Sequence, residues 1–550
     1  MWRPVSFVVF VLALALAACG GPAPPAPGTA ADPEGLGPHR RAVTTRSPEA
    51  QREFDRGLAY LYGFNHDEAI RAFTRAASHD PECAMAHWGI AYAHGPHINN
   101  PAVSEERAMA AWEALAEARA HAGRGTETER ALIEALAARY AWPQPEDRAP
   151  LDAAYAEAMR GVWRDYPDDD DIGALTAEAL MDVHPWDLWL PDGTPQPWTG
   201  EIVALLEQVL ARTPRHPLAT HLYIHAVEAS PEPGRADAAA DALRDLMPGV
   251  GHMVHMPSHI DVRRGRWREA ITANTKAMAA DRAYRERRPE QGFYRIYMAH
   301  NHHMRAFAAM MVGQSELALA SVREMVADMP AAWLEEYALV ADGWVAMPIE
   351  VLMRFGRWEE ILAEPEPAPY LPLSRALRHY ARGVVYAAQG KIEEARAEQT
   401  AFEQGRALVA AEATFGNNPA HALLAVAEAV LEGEILVRAG ELDEGLARLR
   451  EAVEREDALR YDEPPDWILP VRHALGATLL AAKRAEEAEA VFRADLAKLP
   501  GNGWALFGMG RALRLQGRDA EAAAFEQEFR AAWAGADVQI DSPCYCQRGV

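Results

Sequence analysis

Histidine is the residue type whose spacing in this chain suggests chemistry. Of 20 histidines, two pairs stand four residues apart, His221/His225 and His255/His259, and the second pair follows the first by 34 residues. Side chains four apart on a helix share one face, so each pair forms a two-imidazole ladder. Helices packed about 8–10 Å apart can bring two such ladders to one point. His252, His300 and His303 fall in the same region, and Glu228 lies one turn beyond His225. Neutral imidazole is a common ligand for zinc, copper, nickel and iron. Three readings follow. One is a transition-metal site on His221, His225, His255 and His259. Another is a groove in which these residues, with His252, His300, His303 and Glu228, hydrogen-bond a polar or anionic ligand. The last is a structural hydrogen-bonded seam. Motifs that would name a reaction are missing. His221 and His225 enclose Leu-Tyr-Ile without the general-base glutamate of a zinc-protease helix. The chain also has no Gly-x-Ser-x-Gly elbow, phosphate-binding loop or dinucleotide fingerprint. Ser258, between His255 and His259, sits at a small-residue position and reads as packing.

The elements that must position these residues are helices in a repeat. Gly57, Tyr60, Ala69, Phe73, Ala76 and Pro81 fall at positions 8, 11, 20, 24, 27 and 32 of a 34-residue unit. That set resembles the tetratricopeptide repeat. The register returns at Gly383, Tyr386 and Ala395, at Gly476, Ala488, Phe492 and Pro500, at Ala318 and Pro330, and in the 34-residue step from Pro214 to Pro248. Gly265-Arg266-Trp267, Gly356-Arg357-Trp358, Gly390-Lys391 and Gly517-Arg518 mark turns between paired helices. A lone hairpin cannot bury its apolar face, so stacked hairpins share a continuous core. The expected fold is all-α, a right-handed superhelical solenoid of helical hairpins. An N-terminal array spans 47–340 and a C-terminal array 341–534. The resemblance implies a concave wall lined by positions 2, 5, 9 and 12. His221 and His225 then fall at 5 and 9, His252, His255 and His259 at 2, 5 and 9, His300 and His303 at 2 and 5, and Glu228 at 12. His302 is off register and faces elsewhere. Longer connections interrupt the array at Gly95–Ser104, Trp142–Pro150 and Trp186–Trp198, and connections of that length often carry function. Trp186, Trp189 and Trp198 read as a cap, and His87, His94, His97 and His184 as an extension of the groove.

Segments such as His255-Met256-Pro257-Ser258-His259-Ile260 and Pro185-Trp186-Asp187-Leu188-Trp189 resemble a group of bacterial tetratricopeptide proteins. That likeness supports fold and export and implies no particular chemistry. Residues 1–18 read as an export signal, with Arg3 ahead of an apolar run too short for a convincing membrane span. Leu16-Ala17-Ala18-Cys19 resembles the lipobox of bacterial lipoproteins. The resemblance implies lipidation of Cys19 and anchoring to a membrane, with Gly20 favouring the periplasmic face of the outer membrane. Residues 19–46, rich in Pro, Gly and Ala, read as a flexible tether. Cys83 reads as core. Cys544 and Cys546, in the 535–550 tail, read either as pairing or metal-binding thiols or as a tail without a role.

The chain has 550 residues, 49% hydrophobic, and a net charge of −25. That acidity, without a basic stripe, argues against nucleic acid as partner. The acidic run Asp168–Asp171 reads as a solvated loop or a helix start. The favoured function is a membrane-tethered scaffold that binds a protein, peptide or small ligand in its groove, with a zinc, copper, nickel or iron site on the histidines. The alternative is a metalloenzyme, hydrolase or oxidoreductase, built on the same cluster.

Overall fold

The computed structural model describes residues 34–547. It contains 26 α-helices, and one two-residue strand pair, Thr414–Phe415 with Asn418–Pro419, is the single sheet among the described residues. Alanine-rich sequence favours helix, and side-chain caps fix several starts. Ser47 accepts from the Ala50 N–H ahead of Pro48, Asn65 from Glu68, and Asn502 from Ala505. Thr126 and Glu129 form a reciprocal capping box. Consecutive helices pack as antiparallel hairpins that stack into a solenoid.

The repeat register appears directly in the core. The Phe73 ring is sandwiched between Gly57 on the preceding helix and Gly89 on the following one, and Phe492 sits identically between Gly476 and Gly508. A Cβ on any of these glycines would press into the ring, so three helices approach closely only because a small residue faces a large one there. Gly265, Gly356, Gly390 and Gly517, the turn glycines, all take φ between 63° and 73°, a conformation glycine adopts without steric cost.

The solenoid curls until distant turns touch. The Trp267 indole N–H donates to the Pro500 carbonyl, and Trp504 donates to Met310. Near the N-terminus, Tyr284 donates to Glu68 and Arg288 pairs with the same carboxylate. The inner wall is therefore covered by protein, whereas the sequence placed it on an open concave face. The apolar core forms two large clusters that hand over between Val262 and Met298, upstream of the 340/341 division read from the sequence, and a small third one around Ala474 and Ala477.

Both ends of the described segment are pinned. Residues 34–46, expected to belong to a flexible tether, are instead held along the array. Leu36 is buried, Glu34 pairs with Arg56, Arg41 pairs with Asp169 and Asp171, and Thr44 donates to Glu129. The signal segment and Cys19 lie outside the described residues. At the other end, Asp537 accepts from the Ser315 and Glu316 N–H groups. Cys544 and Cys546 form a disulfide with each other, buried against Ala474 and Ala477. Cys83 is buried, as expected. No helix among the described residues is long and apolar enough to cross a membrane.

Candidate metal centre

Four helices carry the histidines. His221, His225 and Glu228 lie on Pro217–Glu228, and His252 and His255 on Gly251–His255. His259 lies on Pro257–Arg263, and His300, His302 and His303 on Arg295–Met311. His221 and His255 are 0% exposed, as is Glu228, and His225, His252, His259 and His303 are also buried. His300 alone of these is half-exposed.

Hydrogen bonds fix which ring nitrogen of each histidine carries its proton. The His221 Nδ1–H donates to the Tyr62 carbonyl at 2.8 Å, and a carbonyl can only accept. The Nδ1–H groups of His225 and His259 donate to the two oxygens of Glu228 at 2.7 and 2.6 Å. Burial alone would raise the Glu228 carboxyl, but the His259 charge and these two hydrogen bonds bring it down to about 2, so it is an ionised acceptor. The His255 Nδ1–H donates at 2.6 Å to the Asn274 oxygen, whose amide is oriented by its own N–H donating to the Ala270 carbonyl. All four rings therefore present a bare Nε2.

Those bare nitrogens face one another. His255 Nε2 lies 2.8 Å from His259 Nε2. Neither has a proton to share while both Nδ1 positions donate, so two lone pairs meet. Protonation would relieve this only at His259, beside the Glu228 carboxylate, because burial holds His255 well below the ordinary imidazole range. A metal ion relieves it without a proton. Two nitrogens bound about 2.0–2.1 Å from one ion lie roughly 3 Å apart. His221 Nε2 lies 3.1 Å from His252 Nε2, where His252, whose Nδ1 has no partner, can carry its proton on Nε2 and donate to His221, and the buried Nε2 of His225 has no hydrogen-bond partner. Burial also depresses His221, His225, His252 and His300. Each is thereby kept in the neutral form a metal requires.

The candidate ligands do not converge on one point. Among the described residues, His221, His225 and His252 form one group and His255, His259 and His300 another, with ligand atoms in each group within 4.8 Å of one another. Glu228 joins them through His225 and His259. His303 stays outside, stacked on Phe415. His302 faces the neighbouring helix, with Nδ1 on the Ser321 carbonyl, as its register implied. His184 stacks on Trp198, and His87 bonds the Pro81 carbonyl. His97 stacks on His66 4.1 Å away, and burial lowers His94 to about 4.

An aromatic shell encloses the cluster. The Phe64 ring contacts His221, His225 and His252, and Trp186 meets His225 edge-on at 5.0 Å. Tyr297 lies 4.6 Å from His252. Trp189 of the same long connection as Trp186 donates to the Ala226 carbonyl, so that connection covers the site rather than merely ending an array. Tyr461, from a loop more than 200 residues away, donates to Glu228 and to Glu463 at 3.4 Å each, while Arg263 lies over its ring. Tyr62, Phe64, Asn274 and Tyr461 escaped the sequence reading. Only Asn274 left a signal, as an amide on the helix paired with the histidine-bearing one.

A second histidine group was missed altogether. The acidic run read as a solvated loop or a helix start does begin a helix, capped by Asp169, but Asp171 within it is buried. One oxygen of Asp171 accepts from His39, His216 and the Tyr62 hydroxyl, and the other from Arg41.

No protein-family model matches the chain, and no curated protein matches it. Solved structures give distant likenesses. The human IFIT1 dimer with m7Gppp-AAAA shares 12% identity at TM-score 0.32 over 89% of this chain and 91% of that one. The Naa15/Naa10 complex bound to HypK-THB shares 12% identity at TM-score 0.22 over 88% and 76%. At these values neither likeness transfers a function to this chain.

Proposed function

We propose that the protein is a helical-repeat scaffold that holds a transition metal inside its closed superhelix, on the histidines of residues 221–300. The observation that carries this is the 2.8 Å approach of His255 Nε2 to His259 Nε2 while both Nδ1 atoms donate elsewhere. Metal-ligating histidines characteristically donate their other N–H to a carboxylate or carbonyl, which fixes the ring and raises its basicity. Here Glu228, Asn274 and the Tyr62 carbonyl do so. The uncharged imidazole set, without a thiolate at the site, suits zinc, copper, nickel or iron(II).

The test is metal content. Full-length protein purified without chelator, and the same protein incubated with each of the four metals, is measured by elemental analysis. Retained metal that falls in His255→Ala and His259→Ala supports the reading. Protein that retains none of the four after incubation overturns it.

A catalytic role for this centre has one specific observation in its favour. Three histidines per group leave coordination positions open, and the Tyr461 hydroxyl links Glu228 to the buried carboxyl of Glu463, a chain of groups that could carry a proton to a metal-bound species. Tyr461→Phe separates the two roles: a catalyst loses turnover with its metal retained, whereas a pure binding scaffold loses neither metal nor affinity. Export and lipid attachment at Cys19 belong to the same reading. The lipobox-like segment supports them, as does the Cys544–Cys546 disulfide, since such bonds persist in oxidising compartments. Mass spectrometry of the mature N-terminus from cell membranes tests this, and an unmodified Cys19 there excludes the anchor.

A further inference from the structure

Resting on that reading, we infer that the histidine cluster is a pair of metal sites, one generated from the other by the repeat itself. Each group is assembled by the same rule. Two histidines four residues apart on the inner wall supply two ligands, on one helix for His221 and His225 and on two short helices meeting at Met256 for His255 and His259, and a histidine near the start of the next inner segment of the array supplies the third. His221 and His225 join with His252 in the first group, and His255 and His259 join with His300 in the second. The paired histidines recur after 34 residues, one repeat length, so stacking one hairpin on the next copies the ligand pair as well as the core. Each group holds one short nitrogen–nitrogen approach, between different members: 3.1 Å from His221 to the third ligand His252, and 2.8 Å within the pair His255 and His259.

The series stops at two on both sides. Thirty-four residues before His221 and His225 stand Asp187 and Pro191, in the long connection rather than on an inner helix, so no histidine pair precedes the first. On the next inner helix His303 begins a third pair, but Phe307 stands four residues on and is buried in the core. His303 accordingly joins no group, although its Nε2 is buried without a hydrogen-bond partner.

The two sites are neighbours. Rings of the first group lie 5.4 Å (His225–His259) and 5.9 Å (His252–His255) from rings of the second. Glu228 orients one ligand of each, with one carboxylate oxygen on His225 and the other on His259. Six neutral imidazoles and a single carboxylate leave two divalent ions undercompensated in charge. The pair therefore favours an oxygen-donor anion between or beside the ions, or univalent copper. His300, half-exposed, marks the side from which an ion or small anion reaches the pair.

The experiment is a titration of the full-length protein, stripped of metal and refilled with cobalt(II), followed by visible absorption and by elemental analysis after desalting. The expected result is saturation at two equivalents. His221→Ala or His252→Ala lowers the capacity to one, and so does His255→Ala or His300→Ala. A variant combining His221→Ala with His255→Ala takes up less than one tenth of the wild-type metal. His303→Ala keeps both equivalents. Saturation of the wild-type protein at one equivalent overturns the pair while leaving a single metal centre intact. No uptake of cobalt, zinc, copper, nickel or iron overturns both readings together. Because the wild-type titration decides the count, the inference stays testable even where an alanine variant fails to fold, as shown by loss of its helical circular dichroism.

Discussion

Two histidine groups in this protein use the same residue types at similar distances with opposite hydrogen-bond patterns. At His39, His216 and Asp171, imidazole nitrogens lie 2.9 and 3.2 Å from a carboxylate oxygen. Every approach there is donor to acceptor. The His216 Nδ1 accepts from the Ala219 N–H, so its Nε2 carries the proton that Asp171 receives. Arg41 compensates the charge, and the helix start, the N-terminal segment and the 217–228 helix are tied together. The group is complete without a metal. At His255 and His259 the acceptors sit on the far side of each ring, and the near side is acceptor against acceptor. A cluster of potential ligands is therefore read by which nitrogen faces inward, and closeness alone does not separate a structural knot from a metal site.

The strongest way to break this contrast is at its structural half. Asp171→Ala removes the buried acceptor shared by Tyr62, His216, His39 and Arg41 and is expected to cost about 3–5 kcal/mol, read by chemical denaturation, with the metal capacity of the folded fraction unchanged. Loss of metal at full stability would reverse the assignment of the two groups. Metal addition tests the other half. A ligand that binds only the folded state at 100 times its Kd stabilises by about 2.7 kcal/mol. The wild-type melting temperature should rise with zinc or copper, and the rise should shrink in the His255→Ala variant, vanish in the variant combining His221→Ala with His255→Ala, and survive in His39→Gln.

Asn274→Leu sharpens the contrast further. With its acceptor gone, His255 can move its proton to Nε2 and donate to His259, which turns the metal-seeking pair into a satisfied one. Metal affinity should fall by about 10–100-fold, measured by competition with a chromophoric chelator. An unchanged affinity would mean that the amide does not set the tautomer.

Acid response is a smaller, graded test. Burial holds His66 at about 3 and His97 well below the ordinary range, so both are neutral when folded. An unfolded chain takes up protons at such residues below about pH 6.5. Folding stability supplied by keeping these rings neutral is therefore complete above that pH and declines from about pH 6.5 towards about pH 3. Asp171 is also acid-sensitive but in a lower window. Burial opposes its charge, yet the hydrogen bonds from His216 and His39 and the Arg41 charge hold it well below the usual carboxylate range. Its contribution persists until the pH falls below about 4. Denaturant midpoints measured across pH 3–8 should show the upper limb weaken in His66→Phe and the lower limb weaken in Asp171→Asn. The smallest expected effect is that of His39→Gln. It removes one of several bonds to Asp171 from a partly exposed ring and should cost about 1 kcal/mol.

Much of this was legible in the sequence because helical repeats are local objects. Gly57 and Phe73, or Gly476 and Phe492, announce their contact by spacing, since the hairpin that joins them is short and its helices have fixed rise and pitch. The histidine pairs are legible for the same reason, and so is the outward turn of His302. The curvature of the whole array was not. Small rotations between hairpins accumulate until Trp267 reaches Pro500, and no single repeat encodes that sum. The open groove expected from the repeat thus became a buried interior, and Asp171 and residues 34–46 moved from solvent to the packed wall.

Helix pitch and the 34-residue unit are enough to place the imidazoles in pairs, one repeat apart, on neighbouring inner segments, because they leave no other placement for them. What those imidazoles are depends on contacts from distant parts of the chain. The identity of each turns on which nitrogen is protonated. The Tyr62 carbonyl and the Asn274 amide, brought from other helices, and the Glu228 carboxylate, shared across a repeat boundary, settle that by the direction from which each accepts.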